Sequence, residues 1–443
     1  MPKICTALRN ALLLLASLCI LTSLGEGQDR SASLENGPDA EVSEFNIRAL
    51  ELSVQAMTAS PERDYFSGVL ANRTGQIDES IRLLNSALPA VRTTSPARAA
   101  IALQALADDY NKRFQYGKAE QAYEDLLANF PNQLKADQLQ GTKDDAGVAR
   151  ILRSAPVQTI VRNGPTRLKT KRNPLGLINV SLTVNGVKEA WLLDTGANLS
   201  VVTKSFAKRL GLTLLPGTGQ ALAGLTGIEN PLRVALIPTL QMGGATLHNV
   251  VVMVLDDSNL RVGPGKDSYQ IQGILGYPVF EALGTITFLH DGGFESVETT
   301  QPNKDGARMY MKLLTPVIEG SVEGEQLPFS FDTGAQGTNL LVRYYNRFHN
   351  ESSTWTKAEN KSFGAGGGVQ RTIYVQPRVR LGIGNKTVTL KNIPIFTSAS
   401  GSDIDELYGN LGQDVVAGFD SFTFDFAAMK FRLGEPLSPP KTH

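Results

Sequence analysis

WLLDTGA at residues 191–197 and FSFDTGA at residues 329–335 are the two stretches that decide the fold of this chain. Each ends a largely apolar run, and each follows two alternating segments joined by a Gly turn, a pattern typical of a β-hairpin. A single Asp-Thr-Gly indicates no more than an ordinary turn after a strand. The prediction of the fold therefore depends on the presence of two copies of the hairpin and Asp-Thr-Gly pattern.

The two copies are followed by the same features in the same order. A Gly-rich stretch comes about 30 residues after each Asp, then a hairpin with a Gly turn, and then a closing G-x-L-G motif. The Gly-rich stretches are ALAGLTG at 221–227 and FGAGGG at 363–368, and the closing motifs are GILG at 273–276 and GNLG at 409–412. Asp194 precedes its closing motif by 79 residues and Asp332 by 77. These near-equal spacings predict a mainly β C-terminal part with two related lobes, at 174–300 and 308–434.

This duplicated pattern resembles the lobes of the aspartic peptidases, the superfamily of pepsin and retropepsin, over roughly residues 174–433. The resemblance implies two β-barrel lobes related by a pseudo-twofold axis, which brings Asp194 and Asp332 together as the catalytic pair. Two lobes in one chain are similar to pepsins, whereas Ala197 and Ala335 after the Gly are similar to retropepsins. The implied function is an aspartic endopeptidase that acts on peptides or proteins as a monomeric catalytic unit.

Paired carboxyl groups suit peptide hydrolysis because one can take a proton from water while the other protonates the substrate carbonyl. Like charges so close cannot both ionise, so one pKa rises, and aspartic peptidase dyads are the best-known example of this effect. The resemblance implies that neighbouring residues support the pair, with threonines that interlock across the lobes and glycines that admit the backbone. These residues are Thr195, Gly196, Ala197, Thr333, Gly334 and Ala335. Because alanine donates no hydroxyl to the carboxylates, we expect weakly acidic rather than strongly acidic activity.

The Gly-rich segments at 217–230 and 362–371 correspond to the flaps that close over a bound peptide in the resembled family. The expected substrate-binding residues of the flaps are Gly224, Leu225, Gly364, Ala365 and Gly366. The flap tyrosine usual in pepsins is not evident in 217–230. Asn410 stands in the second closing motif where Ile274 stands in the first, and the family pattern expects an apolar residue there. This departure slightly weakens the argument for equivalent packing in the second lobe, although Leu411 and Gly412 of the motif remain.

The N-terminus has the features of an export signal. Lys3 and Arg9 are followed by an almost wholly apolar run at 11–24, which is short for a membrane span. We expect residues 1–27 to be a cleaved signal peptide rather than an uncleaved anchor, which leaves a secreted or periplasmic protein with no stable membrane span. Both cysteines, Cys5 and Cys19, lie in this leader. A mature chain without cysteine has no disulfide and resembles a bacterial exported protein more than an animal one.

Residues 28–43 are polar and predict a linker, and the Pro-rich end at 435–443 predicts a loose tail. Between them and the β lobes, residues 44–153 show helical spacing of apolar residues. GQIDESIRLLNSALP starts at Gly75 and GKAEQAYEDLLANFP starts at Gly117, 42 positions later. The repeat resembles tetratricopeptide repeats with a short insertion at 91–98. Two interpretations remain open: a groove that holds a protein partner, or a helical cap packed on the next domain.

The composition narrows the function classes further. The chain has 443 residues, which predicts two or three domains, and Lys plus Arg equals Asp plus Glu at 43 each. A neutral balance provides no field for nucleic acid. The four histidines are scattered without ligand spacing, so we expect no metal and no cofactor. The alternative to a peptidase is a non-catalytic peptide- or protein-binding module that uses the cleft and the helical repeats.

Overall fold

The computed structural model describes residues 37–438 apart from 218–221, 224–228, 231–232, 264–267, 299–304, 352–353, 365–366 and 400–402. The expected signal peptide, most of the expected linker and the end of the expected tail lie outside the described residues. No helix in the described part of the chain is both long and apolar enough to span a membrane.

Successive helices build the N-terminal part of the chain, and each packs against the next. They are α1 Pro38–Ser43, α2 Ile47–Ala56, α3 Pro61–Arg73, α4 Ile77–Thr94, α5 Pro96–Lys112, α6 Tyr116–Asn129 and α7 Ala136–Leu152. The Ser60 and Ser95 hydroxyls accept from backbone amides in the first turns of α3 and α5, and proline follows each serine. Serine at the N-cap with proline at the first helical position is a strong start signal, so these helices begin where the sequence dictates.

Two details of the helical part differ from the sequence prediction. Residues 38–43, assigned to the linker, form α1, which starts with proline and buries Val42. The stretch at 91–98 is not a separate insertion, because α4 continues through Pro89 to Thr94 and α5 begins at Pro96. Ala87 and Val91 on either side of Pro89 are buried. Their packing offsets the backbone hydrogen bond that proline cannot donate.

The C-terminal part is mainly β, as predicted. Its first half contains β1 Thr159–Arg162, β2 Thr166–Arg172, β3 Ile178–Val184, β4 Val187–Leu193, β5 Ser200–Thr203, α8 Lys204–Arg209, β6 Leu222–Ala223, β7 Glu229–Asn230, β8 Val234–Met242, β9 Ala245–Leu255, β10 Arg261–Val262, β11 Tyr269–Gln270, β12 Gly273–Leu275, α9 Tyr277–Leu283, β13 Thr285–Leu289 and β14 Gly293–Val297. Its second half contains β15 Ala307–Lys312, β16 Thr315–Val322, β17 Glu325–Phe331, β18 Asn339–Leu340, α10 Val342–Phe348, β19 Thr356–Gly364, β20 Gly367–Ile383, β21 Lys386–Phe396, β22 Gly409–Leu411, β23 Ser421–Asp425 and β24 Lys430–Leu433.

The two halves share one strand topology. In the first, β12 pairs parallel with β4 and antiparallel with β5; in the second, β22 pairs parallel with β17 and antiparallel with β18. Asn249 and Asn392, which close the equivalent hairpins, both have left-handed backbone conformations, with φ of 59° and 54°. Such a conformation is uncommon outside glycine and is favoured by asparagine. The duplication read from the sequence is therefore a duplication of structure.

A sheet shared by both halves joins them in the strand order β2-β14-β13-β23-β24-β15. At its centre β13 runs antiparallel to β23 with Thr287 opposite Thr423, and their hydroxyl oxygens are 2.9 Å apart. Thr285 pairs with Asp425, and Leu289 pairs with Ser421. A pseudo-twofold axis between the two threonines relates β13 to β23, so it superimposes the pair Thr285–Asp425 on the pair Ser421–Leu289. The predicted relation between the lobes is confirmed.

The lobe boundaries differ in detail from those read off the sequence. β2, which precedes residue 174, is an edge strand of the shared sheet and pairs with both β14 and β3. Its sequence TRLKTKR is rich in charge because most of its outward positions are exposed, so it lacks the apolar signal of a strand. At the other end, Pro436 bridges to Phe419 and the Leu437 amide donates to the Gly418 carbonyl, so the expected tail begins only beyond them.

The helical part contacts both lobes. Tyr116 and Leu152 share an apolar cluster with Ile274 of the first lobe. Phe45 and Ile47 share another with the second lobe, which includes Tyr310, Val317 and Phe396. Arg48 donates to both oxygens of Glu319, and Arg308 does the same to Glu51. This packing is what the helical-cap interpretation predicts, while a partner groove stays a prediction.

Candidate active site

Equivalent strand pairs hold the two Asp-Thr-Gly loops. The Asp194 amide donates to the Leu275 carbonyl at 3.1 Å, and the Asp332 amide donates to the Leu411 carbonyl at 2.9 Å. The apolar residues before each Asp are fully buried, and they are Trp191, Leu192, Leu193, Phe329 and Phe331. Because each Asp directly follows a buried strand that is fixed on both sides, the positions of the carboxyl groups are set by the lobe cores.

The structure brings the two predicted catalytic carboxyls together across the lobe boundary. Each accepts a hydrogen bond from the glycine of its own loop, from Gly196 to Asp194 Oδ1 at 2.9 Å and from Gly334 to Asp332 Oδ1 at 2.7 Å. A Cβ atom on Gly196 would lie 2.7 Å from Cγ of Asp332, and one on Gly334 would lie 2.5 Å from Oδ2 of Asp194. Each glycine therefore lies directly against the carboxyl of the opposite lobe.

Interlocking threonines tie the loops to each other. The Thr195 amide donates to Thr333 Oγ1 at 3.0 Å, and the Thr333 amide donates to Thr195 Oγ1 at 3.1 Å. The hydroxyls donate onward across the boundary, from Thr195 to the Phe331 carbonyl at 3.0 Å and from Thr333 to the Leu193 carbonyl at 2.8 Å. Both hydroxyls thus donate and accept in a site with no exposure to solvent. A fully satisfied buried network of this kind holds the dyad rigid.

Burial controls the electrostatics of the pair. It raises the pKa of Asp194 well above the ordinary value, and the nearby charge of Asp332 raises it further, while the amides of Gly196 and Ala197 act in the opposite direction. Burial also raises the pKa of Asp332, opposed by hydrogen bonds from Asp194, from the Gly334 amide and from Asn410. No hydrogen-bond donor in the described part of the chain reaches Asp194 Oδ2. Burial and the neighbouring carboxyl therefore favour the neutral form of Asp194, whereas the hydrogen bonds to Asp332 favour the charged form of that carboxyl.

Asn410 is a site residue, although from the sequence it was interpreted only as a departure from the apolar pattern of the closing motif. Its side chain is buried, donates from Nδ2 to Asp332 Oδ2 at 3.4 Å, and accepts from Ser330 Oγ at 2.7 Å. Ser330 and Asn410 are opposite each other in the strand pairing of the second lobe, where the first lobe has Leu192 opposite Ile274. The second lobe thus replaces an apolar pair by a polar one that reaches only Asp332. This breaks the symmetry of the dyad.

The predicted flap residues are only partly described. Gly364 ends β19 and pairs with Gly367, the first residue of β20, so the second Gly-rich stretch contains the ends of two paired strands. The short strand β6 lies within the first Gly-rich stretch and pairs antiparallel with β7, which follows that stretch. Gly224, Leu225, Ala365 and Gly366 themselves lie outside the described residues. Among the residues that are described, no group of three or more His, Cys, Asp or Glu side chains is arranged to hold a metal ion.

Comparisons with known proteins agree with this geometry in part. A family model described as Aspartyl protease matches residues 180–279. Among solved structures, the chain is similar to basic 7S globulin from soybean, with 12% identity and a TM-score of 0.38 over 62% of this chain and 95% of that one. It is also similar to a retropepsin-like aspartic protease from Rickettsia conorii, with 18% identity and a TM-score of 0.20 over 31% of this chain and 90% of that one. No curated protein matches it in sequence. Residues 180–279, which include Asp194 and the first closing motif, form an aspartic-protease-like domain.

Proposed function

We propose that the chain is an aspartic endopeptidase that hydrolyses peptide bonds with a water molecule activated by Asp194 and Asp332. The observation that carries the proposal is the pair of buried carboxyls, each against the glycine of the opposite lobe. Two carboxyls that share a proton provide both an acid and a base without a metal or a nucleophilic side chain. Intact Asp-Thr-Gly loops in both lobes favour catalysis over a purely structural role.

The asymmetry around the dyad assigns a role to each carboxyl. Asn410 stabilises the anion of Asp332, so Asp332 is the base. It takes a proton from the water molecule while the water oxygen attacks the peptide carbonyl carbon. Asp194 holds the other proton and donates it to the carbonyl oxygen, which gives a neutral tetrahedral diol. Collapse of the diol breaks the C–N bond, returns a hydroxyl proton to Asp194 and passes the proton on Asp332 to the amine. The pair again holds one proton.

Access to the dyad requires a conformational step, because both carboxyls are 0% exposed. We propose that the Gly-rich segments at 217–230 and 362–371, with the expected flap residues Gly224, Leu225, Gly364, Ala365 and Gly366, open for the substrate. They then close on its backbone in the manner of added strands. An enzyme of this kind acts on extended or unfolded chains. We also propose that it works outside the cytoplasm, as the leader-like residues 1–27 suggest.

Cleavage of an unfolded protein tests the proposal directly. We expect the full-length protein to cut such a substrate in weakly acidic buffer, to be blocked by a statine-type inhibitor, and to lose all cleavage products in Asp332→Asn when the peptides are profiled by mass spectrometry. Tight binding of the same peptides with no cleavage from acid to neutral pH would instead identify a peptide-binding module.

Replacing Asn410 by Ile, the residue of the first lobe, is expected to move the acidic limb of the kcat/KM profile to higher pH. The Asp332 anion loses a hydrogen-bond donor, and its pKa rises as a result. The matched control is Asn410→Ile combined with Ser330→Leu, which copies the apolar pair of the first lobe and leaves no unpaired Ser330 hydroxyl. It should show the same displaced limb. A uniform loss of rate with an unmoved limb would contradict the role assigned to Asn410.

A further inference from the structure

We propose that strand β1 is an interaction surface at which two copies of this chain join, edge to edge and antiparallel. β1 (Thr159–Arg162) follows the helical part and pairs on one side with β9. Its other side pairs with no strand in the described part of the chain. The inference goes beyond the proposed peptidase function and does not depend on it, because each copy keeps its own Asp194 and Asp332.

One row of backbone groups on β1 is left unpaired. The Asn163 amide donates to the carbonyl of Gly244, which lies opposite it, at 2.8 Å. Hydrogen-bonded and non-hydrogen-bonded pairs alternate in an antiparallel ladder, so Thr159 and Val161 are the other residues that bond to β9. The amides and carbonyls that point away from β9, and that no described backbone group pairs, belong to Gln158, Ile160 and Arg162. Such an edge is a template for another strand.

Exposed apolar side chains surround this edge. Val157 is 49% exposed and Val161 is 48% exposed. Val297, which is 47% exposed, lies close to them, because Arg162 Nη1 donates to Oγ of the adjacent Ser296 at 3.4 Å. These valines are three of the six large apolar side chains that are exposed in the described part of the chain. Their concentration at one strand indicates an interaction site.

The sequence of β1 lacks the features that protect edge strands from pairing. Natural edge strands commonly carry lysine, proline or a bulge. VQTIVR at 157–162 is rich in β-branched residues and contains neither Pro nor Gly. Its one charged side chain, Arg162, donates to the Ala282 carbonyl at 3.0 Å. The edge strand β2 of the same lobe, TRLKTKR, has four basic residues instead. This contrast favours pairing at β1 over pairing at β2.

A second copy of β1 uses every unpaired group of this edge. About a twofold axis at Ile160, that residue faces its own equivalent, and Gln158 faces Arg162 of the other copy. These three pairs exchange six hydrogen bonds, two for each pair. On the exposed face Thr159 lies opposite Val161 of the other copy, so no like charges meet. The interface is isologous and closes at two copies, with a continuous sheet in the order β8-β9-β1-β1-β9-β8.

Charge substitutions on the exposed face test the inference. In sedimentation equilibrium we expect the mass of the full-length protein to rise from one chain toward two with increasing concentration. Thr159→Lys with Val161→Lys places like charges opposite each other and should abolish this rise. Thr159→Glu with Val161→Glu should do the same, whereas a mixture of the two variants should form heterodimers, which also shows that both are folded. The matched control, Leu52→Lys with Leu214→Lys, changes two exposed apolar residues outside β1 and should behave like the wild type.

Cysteine cross-linking tests the register, in a chain whose Cys5 and Cys19 are replaced by serine. A mixture of Thr159→Cys and Val161→Cys should form a disulfide-linked dimer, because facing Cα atoms of a non-hydrogen-bonded pair are about 4.5 Å apart. Thr159→Cys alone should cross-link at least about tenfold less, since its equivalents lie on a diagonal about 7–8 Å long. Dimers without this pattern would contradict the register. A single-chain mass at all concentrations, or dimers that survive in both charged variants, would overturn the inference.

Discussion

Asp194→Asn is expected to lower the rate of peptide cleavage by about a thousandfold or more while making the folded chain more stable. The rate falls because the carboxamide can neither carry nor return the shared proton, and acid–base catalysis contributes up to about 10⁴-fold. Stability rises because burial penalises the charged form of Asp194, whereas a neutral amide of the same shape escapes that penalty. The amide oxygen still accepts from Gly196. Activity and stability should therefore change in opposite directions.

The stability difference should depend on pH in one direction. The pKa of Asp194 is raised in the folded state, so the folded chain keeps a proton that the unfolded chain releases above about pH 4. Stability of the wild type is then lost as pH rises from there toward the raised pKa, and this loss is absent in Asp194→Asn. Chemical denaturation of both proteins between pH 4 and pH 7 measures the difference.

The wild type must be compared with the variant because other buried acids also make the folded chain less stable as pH rises. Burial raises the pKa of Asp109 to about 7, and it raises the pKa of Glu281 as well. Both groups are present in wild type and variant, so their effects cancel in the difference. A difference that stays constant with pH would show that Asp194 is not held with a raised pKa. Substantial cleavage by Asp194→Asn would remove it from the proposed catalytic pair.

The dyad and its threonines could be predicted because the chain carries the signal twice. The near-equal spacings of 79 and 77 residues identified the two halves, and the resemblance to aspartic peptidases implied that Asp194 and Asp332 meet. The structure pairs the two loops in the same register. The role of Asn410 could also have been found by aligning the two halves. Ser330 and Asn410 replace Leu192 and Ile274 together, and two polar replacements at facing positions indicate a hydrogen bond. A comparison of the closing motifs alone shows only the replacement at Asn410.

Contacts between the helices and the lobes could not be predicted from the sequence. Arg48 and Glu319 are 271 positions apart, and nothing in the local pattern of either marks the other as its partner. β2 was missed because only one of its inward residues, Leu168, is apolar, so its alternation of exposed and covered positions does not appear as a hydrophobic pattern. Helix caps and loops are determined by residues close in sequence, whereas the packing of the helices on the lobes depends on the shapes of surfaces that are distant in sequence.

Gly334→Ala is expected to reduce cleavage by about a hundredfold or more, although it adds only one methyl group. Its Cβ would lie 2.5 Å from Asp194 Oδ2, so either the carboxyl or the whole second lobe must move. A displacement of about 1 Å in a catalytic group costs about 10²-fold in rate. Overpacking in a tight interior also destabilises by about 1–3 kcal/mol. Gly196→Ala, with 2.7 Å to Cγ of Asp332, should behave in the same way.

Gly337→Ala provides the matched control in the same loop. A Cβ at Gly337 would meet Asp414 Oδ2 at 3.9 Å, which is ordinary van der Waals contact. Cleavage rates and thermal unfolding of the three variants separate the effect of the close approach from the general cost of replacing glycine. Equal activity in Gly334→Ala and Gly337→Ala would mean that the carboxyls work at a larger separation than this structure has. Loss confined to Gly196→Ala and Gly334→Ala would show that catalysis depends on the backbone of each lobe touching the carboxyl of the other.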